Sequence, residues 1–322
     1  MDSWTHAAVA GTLSLGLRGQ GYGGSGARRT AVLVAAALLP DGVEQVSRLF
    51  GTAAYVKLYH GPAHSLLGMI LLTGLAAVAF ERLTLPLPVR LRWVAIGVAS
   101  HLLLDLVNGY GEQLLWPFSD WRAGMPLVAN YDLATLSIIG LALLGPALLN
   151  AVNREIGAPT VNARSAAWIA LVLIATLVPL RWAWRANCSA TVHAAPLTEG
   201  AESVSVYPSA ILPWRWTAIE DTEIAYLIGE VDGWSGARRP YLIRLAKPLS
   251  NNLLVAAQNS DTGKAFQDLA IYPHYSLEEG AQGVRVRIRD VAFHSPGGSN
   301  RPFSVEIEVT STMQVLSEKA VF

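Results

Sequence analysis

Charge is what this chain has least of. Charged residues make up 15% of its 322 residues, against about 25% in ordinary soluble proteins. The 24 Lys and Arg cancel the 24 Asp and Glu, so no excess of either sign advertises a nucleic acid through bulk electrostatics. Cysteine is nearly absent too. The one present, Cys188, excludes an internal disulfide framework and any CxxC zinc site, so a metal would have to sit on His, Asp and Glu. No basic region precedes Trp4 and no clean cleavage site follows, so a removable signal peptide is not expected. The glycine-rich stretch GQGYGGSG at 19–26 lacks the GxxxxGK[ST] order of a phosphate cradle and reads as a flexible loop.

What the chain has instead is apolar length, unevenly spread. Hydrophobic residues make up 52% and mean hydropathy is +0.35. Residues 1–188 hold 13 Lys/Arg and 9 Asp/Glu, leaving 11 and 15 for the shorter remainder. The first part carries long apolar runs and the second alternates. This predicts a membrane-embedded helical domain over 1–188 and a β-rich soluble domain over 200–322, with the linker near 187–200. Residues 134–152 and 166–184 match the roughly 20 apolar residues a bilayer demands, the second ending in Trp182 and Trp184 at interfacial positions. Residues 64–80 and 91–107 are apolar but carry ionisable groups, and 4–17 and 30–39 are short. Six membrane-embedded helices are expected.

Ionisable residues in such segments cost several kcal/mol in hydrocarbon and call for a reason. They are His6, Asp41, His60, His64, His101, Asp105 and Asp132. His60 and His64 are spaced i, i+4, as are His101 and Asp105; on a helix each pair projects from one face on adjacent turns. That geometry offers two ligands to one metal. Imidazole and carboxylate suit Zn²⁺, with Mn²⁺ or Fe²⁺ as alternatives. Threading six helices alternately across the membrane puts all seven residues near one face. Eight arginines fall on the opposite side and five cations on the ligand side, a positive-inside bias that places the cluster and the C-terminal domain outside the cytoplasm. Asp132, at a helix start, has capping as its competing role.

The residues also resemble a known family. WTHAAVAG at 4–11, LLPDGVE at 38–44, HGPAHSLLG at 60–68 and ASHLLLDLVNGYGEQLLWPFS at 99–119 look like the YdjM-like proteins, described as membrane-bound metal-dependent hydrolases. The resemblance implies metal ligands at His6, Asp41, His60, His64, His101 and Asp105, in a multi-pass inner-membrane protein. More distantly, the His/Asp order is similar to zinc-dependent phospholipases C and single-strand nucleases. The chain departs from the family pattern in having Val43 where a second acid is common, with Glu44 next to it. Gly61-Pro62-Ala63 stands where Arg-x-Thr is common. Trp4 is internal, whereas the secreted relatives use a processed N-terminal Trp amine as a ligand.

Six ligands suffice for one or two ions that activate water against an ester. Asp105 and His64 are the expected catalytic centre, with Asn108, one turn past Asp105, holding substrate or orienting a ligand. Asn108 could equally close the helix before Gly109. Tyr110, Trp116, Phe118 and Trp121 form an aromatic stretch suited to the interfacial belt. In the C-terminal part, 201–207, 225–231, 241–245, 283–293 and 303–312 read as strands, VRVRIRDVAF being the clearest alternation. Arg285, Arg287 and Arg289 share its other face, ordinarily a solvated one. His193, His274 and His294 are isolated. The expected activity is hydrolysis of a membrane-associated ester, most plausibly a lipid phosphoester, with the bilayer as partner and no nucleic acid. The alternative is a sensor or regulator whose metal is structural. A transporter fits poorly, because its site would lie at the midplane.

Overall fold

Small residues set how the N-terminal helices pack. In the computed structural model these are α1 (Ser3–Gly16), α2 (Gly26–Ala37), α3 (Leu39–Val46), α4 (Thr52–Leu58), α5 (Leu66–Ala79), α6 (Leu87–Asp105), α7 (Leu133–Ile156) and α8 (Ala163–Ala194). The structure describes residues 1–17, 26–83, 85–196, 198, 200–280, 283–293 and 303–321. Most of the glycine-rich stretch at 19–26, and His294, lie outside them. Where α2 meets α6, a Cβ on Gly97 would come within 2.5 Å of the Leu33 carbonyl oxygen and 2.7 Å of Ala36 Cβ. Glycine there lets the two backbones approach as helices in lipid do, by contact rather than by hydrophobic drive. Ala10, Val32, Leu33, Ala36, Ala37, Ala77, Val94 and Val98 fill the resulting core.

Among the described residues three helices, α6, α7 and α8, are each long and apolar enough to cross a membrane. α1, α2 and α5 have 14, 12 and 14 residues, about 18–21 Å at 1.5 Å per residue, short of a roughly 30 Å hydrocarbon core. The six expected helices are all present, with shifted ends, and the described residues of the N-terminal part form eight. The two extra, α3 and α4, have 8 and 7 residues, too few for an apolar period to register. α8 runs ten residues beyond the expected end at 184 because RANCSATVHA contains neither Gly nor Pro to stop it.

The chain divides into two compact units: Met1–Val43 with His60–Arg181 and Ala210–Leu212, and Glu44–Tyr59 with Trp182–Ser209 and Pro213–Phe322. The second is built on two antiparallel meanders. One is β1 (Ala201–Pro208), β2 (Arg215–Thr222), β3 (Ala225–Asp232) and β4 (Arg238–Ala246). The other is β5 (Pro273–Glu279), β6 (Val284–Asp290), β7 (Ser304–Val309) and β8 (Val315–Val321). α9 (Asn252–Asn259) and α10 (Asp261–Leu269) connect them. A helical N-terminal part is thus followed by a sheet-rich one. β6 behaves as its alternation requires, with Val286 and Ile288 fully buried. Arg287 on the other face pairs across the ladder with Glu306 at 2.6 Å and Glu278 at 3.3 Å. The five expected strands are present. Reading by alternation overlooks β5, and it overlooks β2, nearly all buried, and β8, exposed or half-buried throughout. Neither β2 nor β8 alternates, so neither carries a period-2 signal.

Candidate metal centre

α6 presents His101 and Asp105 one turn apart, both fully buried, with His101 Nε2 3.0 Å from Asp105 Oδ2. The tight α2–α6 crossing at Gly97, one turn earlier, brings up the last carbonyl of α2. His101 Nδ1–H donates to that Ala37 oxygen at 2.6 Å. A carbonyl can only accept, so Nδ1 carries the proton and Nε2 presents a lone pair. Around that lone pair lie His64 Nε2 at 3.1 Å and Asp41 Oδ1 at 3.5 Å. Asp41, in the first turn of α3, accepts from Ser3 Oγ–H through its other oxygen at 2.6 Å. His64 Nε2 is 3.7 Å from both Asp41 Oδ1 and Asp105 Oδ2.

His60 and His64 do not share a helix, as i, i+4 spacing had suggested. α4 ends at Leu58, and Pro62 starts a short 3₁₀ turn that carries His64. Pro disfavours helical backbone at the residue before it, and His60 sits at φ +48°, in the left-handed region that a non-glycine residue occupies only under constraint. Its carbonyl accepts from the Gln113 N–H at 3.1 Å, which holds the turn. The outcome still joins the two rings: they stack with centroids 4.7 Å apart and planes 16° from parallel. Gly68 admits the turn, since a Cβ there would meet the Pro62 carbonyl oxygen at 2.1 Å.

His6 completes the cluster. Its ring stacks on His101 at 3.8 Å, its Nε2 lies 3.2 Å from Asp105 Oδ1, and its buried Nδ1 has no hydrogen-bond partner among the described residues. The Met1 amino group is also buried against Asp105 Oδ1. Asp41, His64, His101 and Asp105 each offer one ligand atom, and these atoms lie within 4.8 Å of one another. Lone pairs converging in a buried space repel unless a cation stands among them. Two imidazoles and two carboxylates are a donor set that fits Zn²⁺, Mn²⁺ or Fe²⁺.

Two other expected participants are engaged elsewhere. Asp132 caps α7 through the Thr135 N–H, and both of its oxygens accept from Arg181 Nη2 at 2.9 Å; its carboxylate is spent on that buried pair. Asn108 Nδ2 donates to Asn130 Oδ1 at 2.7 Å, and its own Oδ1 accepts from the Tyr110 N–H at 3.3 Å. Its amide therefore locks the 108–130 loop. Of the aromatic stretch, Phe118 and Trp121 are exposed while Tyr110 is buried, its ring edge-on to His60 at 6.4 Å.

Glu112 is the residue that sequence reasoning missed. It is fully buried, and neither carboxylate oxygen has a hydrogen-bond partner among the described residues. Burial first, and then the negative charge of Asp105, push its pKa up to about 10. At neutral pH it holds a proton. The signal was available: one acid stands alone in the apolar stretch GYGEQLLWPF, but it falls between helices.

Residues 1–188 match the YdjM inner membrane protein family. The chain belongs to that family. The match takes in every residue of the cluster and ends inside α8, so the sheet-rich part lies beyond it. No curated protein and no solved structure matches the chain.

Proposed function

We propose that this member of the YdjM family is a metal-dependent hydrolase of the inner membrane that cleaves a phosphoester of a lipid or other membrane-associated substrate. The observation that carries the reading is the convergence of lone pairs from Asp41, His64, His101 and Asp105 beside helices built for lipid. A divalent ion, one or two of Zn²⁺, Mn²⁺ or Fe²⁺, would when bound lower the pKa of water to about 7 and polarise the scissile group. The Ala37 carbonyl keeps His101 in the ligating tautomer. His6 and His60 stack on the inner histidines and hold their rings in place. Glu112 keeps a proton and is the acid available to a leaving oxygen. Asn108 positions the loop that carries Glu112. The charge bias favours a chain that crosses the membrane several times, with cluster and C-terminal domain on the extracytoplasmic side.

The second reading, a regulator with a structural metal, draws on the complete burial of His6, His64, His101 and Asp105. Against it, the Asp41 side chain is 16% exposed, an opening that a closed structural site would not need. The deciding experiment uses the purified protein in lipid nanodiscs, with phospholipids and soluble esters as substrates. Hydrolysis should require Zn²⁺ or Mn²⁺, stop with chelator, and rise with pH through about 7. Lipid phosphoesters should be preferred. His64→Ala should abolish turnover with helicity retained. Metal-loaded, folded protein inert toward the whole panel would leave the regulator reading.

A further inference from the structure

Between α6, α7 and α8 lies an apolar cleft of about 100 Å³, with Met1, Leu103, Val107, Ile174, Leu177 and Arg181 among its walls. Two of its features point to an occupant. The first is Arg181, 1% exposed. Its Nη2 is taken by Asp132 and its Nη1 donates to the Leu127 carbonyl at 3.2 Å. Its buried Nε–H, however, has no partner among the described residues, and buried donors are ordinarily satisfied. The second is Met1, which lines the cleft while its amino group lies against Asp105 of the metal cluster. Cleft and cluster therefore stand on either side of one residue.

The cleft also has a direction. Ile174 to Arg181 on α8 is two helical turns, about 10 Å along the axis. Met1 and Val107 lie beside the end of α6 that carries His101 and Asp105, while Ile174 lies toward the middle of α8. Leu103 is 66% exposed, so the cleft opens onto helix surface that a bilayer covers. Arg181 already has its charge met by Asp132, so the vacant Nε–H suits a neutral acceptor rather than a further anion.

We propose that this cleft binds one acyl chain of an ester phospholipid, the ester carbonyl accepting from Arg181 Nε and the phosphate headgroup reaching the cluster past Met1. The inference deepens the hydrolase reading and rests on it for its chemistry. It names the substrate class as a glycerophospholipid, held by its chain, rather than a soluble phosphoester.

The test reads binding, so it needs no turnover. The full chain is placed in phosphatidylcholine nanodiscs with a trace of phosphatidic acid bearing a diazirine in mid-chain, irradiated, and its adducts mapped by peptide mass spectrometry. Adducts should concentrate on Leu103, Ile174 and Leu177. They should fall by about tenfold or more in Leu177→Trp, which fills the cleft. They should persist in Ile169→Trp, which adds the same bulk to an exposed position of α8. The wild-type map stands by itself if Leu177→Trp does not fold. Adducts spread evenly over exposed positions such as Leu141, Ile169 and Val172, or unchanged in a folded Leu177→Trp, would overturn the proposal. Cleft adducts without hydrolysis would support it and sink the hydrolase reading alone; hydrolysis with adducts only on the outer faces would do the reverse.

Discussion

The helical unit and the sheet-rich unit bury ionisable groups in opposite ways. In the sheet-rich unit the buried Asp290 carboxylate accepts from the backbone N–H groups of Ile271, Tyr272 and Ala292. Glu220 accepts from Arg238 at 2.9 Å, and His274 is bonded to the Ala246 carbonyl at 3.0 Å. In the helical unit His6, His64, His101 and Asp105 turn toward one another with little between them. Gathering imidazole and carboxylate lone pairs in one buried space is electrostatically unfavourable, so the second arrangement is held at the expense of stability. Depth is not the cause. Asp132, equally buried and in the same helical unit, is matched by Arg181. The contrast separates groups that hold the fold from groups that could hold a metal ion.

The largest expected effect tests that contrast directly. His101→Ala or Asp105→Ala should lower bound metal by at least about tenfold, no less than outer-shell partners cost. His274→Ala should leave metal content unchanged. Metal analysis after gel filtration decides it, and equal loss from both groups would erase the distinction between the two units.

Asp132→Asn sharpens the contrast within the helical unit. It leaves the Arg181 charge buried and uncompensated, and should destabilise the protein by about 3–5 kcal/mol. Thermal unfolding in detergent should show the loss, while metal per folded molecule stays constant. A fall in bound metal would move Asp132 into the centre.

Glu112 gives a smaller, pH-dependent effect in metal-free protein. Its folded pKa of about 10 lies above the ordinary carboxyl value of 4.5. Between those values the folded state binds more protons than the unfolded one, so stability falls as pH rises. Glu112→Gln should flatten that fall and make the protein more stable than wild type at pH 8. An unchanged unfolding profile from pH 5 to pH 9 would show that this carboxylate has a partner. The smallest perturbation is a reporter fused after Phe322, expected to be active only outside the cytoplasm. Activity inside would reverse the orientation and leave the contrast between the units untouched.

Much of the helical unit was legible because lipid imposes length. The runs at 134–152 and 166–184 have the length and hydropathy a bilayer demands, and both lie within helices long and apolar enough to cross a membrane. His101 and Asp105 were legible as a pair, because i, i+4 on a helix is a local fact. His60 and His64 were misread as a second such pair, because Pro62 overrides the spacing. Their rings meet through a turn instead. In the sheet-rich unit, β6 showed itself by having one wet face and one dry face, while β2 and β8 have two faces alike.

By itself, the sequence determined the order of a helical part and a sheet-rich part, the helices long and apolar enough to span, and the ligand types available once cysteine was excluded. Those follow from composition and local period, which each segment carries alone. Only the tertiary structure decided that His6, Asp41 and His64 meet the His101–Asp105 face, that Asp132 belongs to Arg181, and that Glu112 is buried with no hydrogen-bond partner among the described residues. Each of those outcomes depends on which distant group arrives at a given side chain. That is set by helix crossings such as Gly97 against Leu33 and Ala36, which no local pattern encodes.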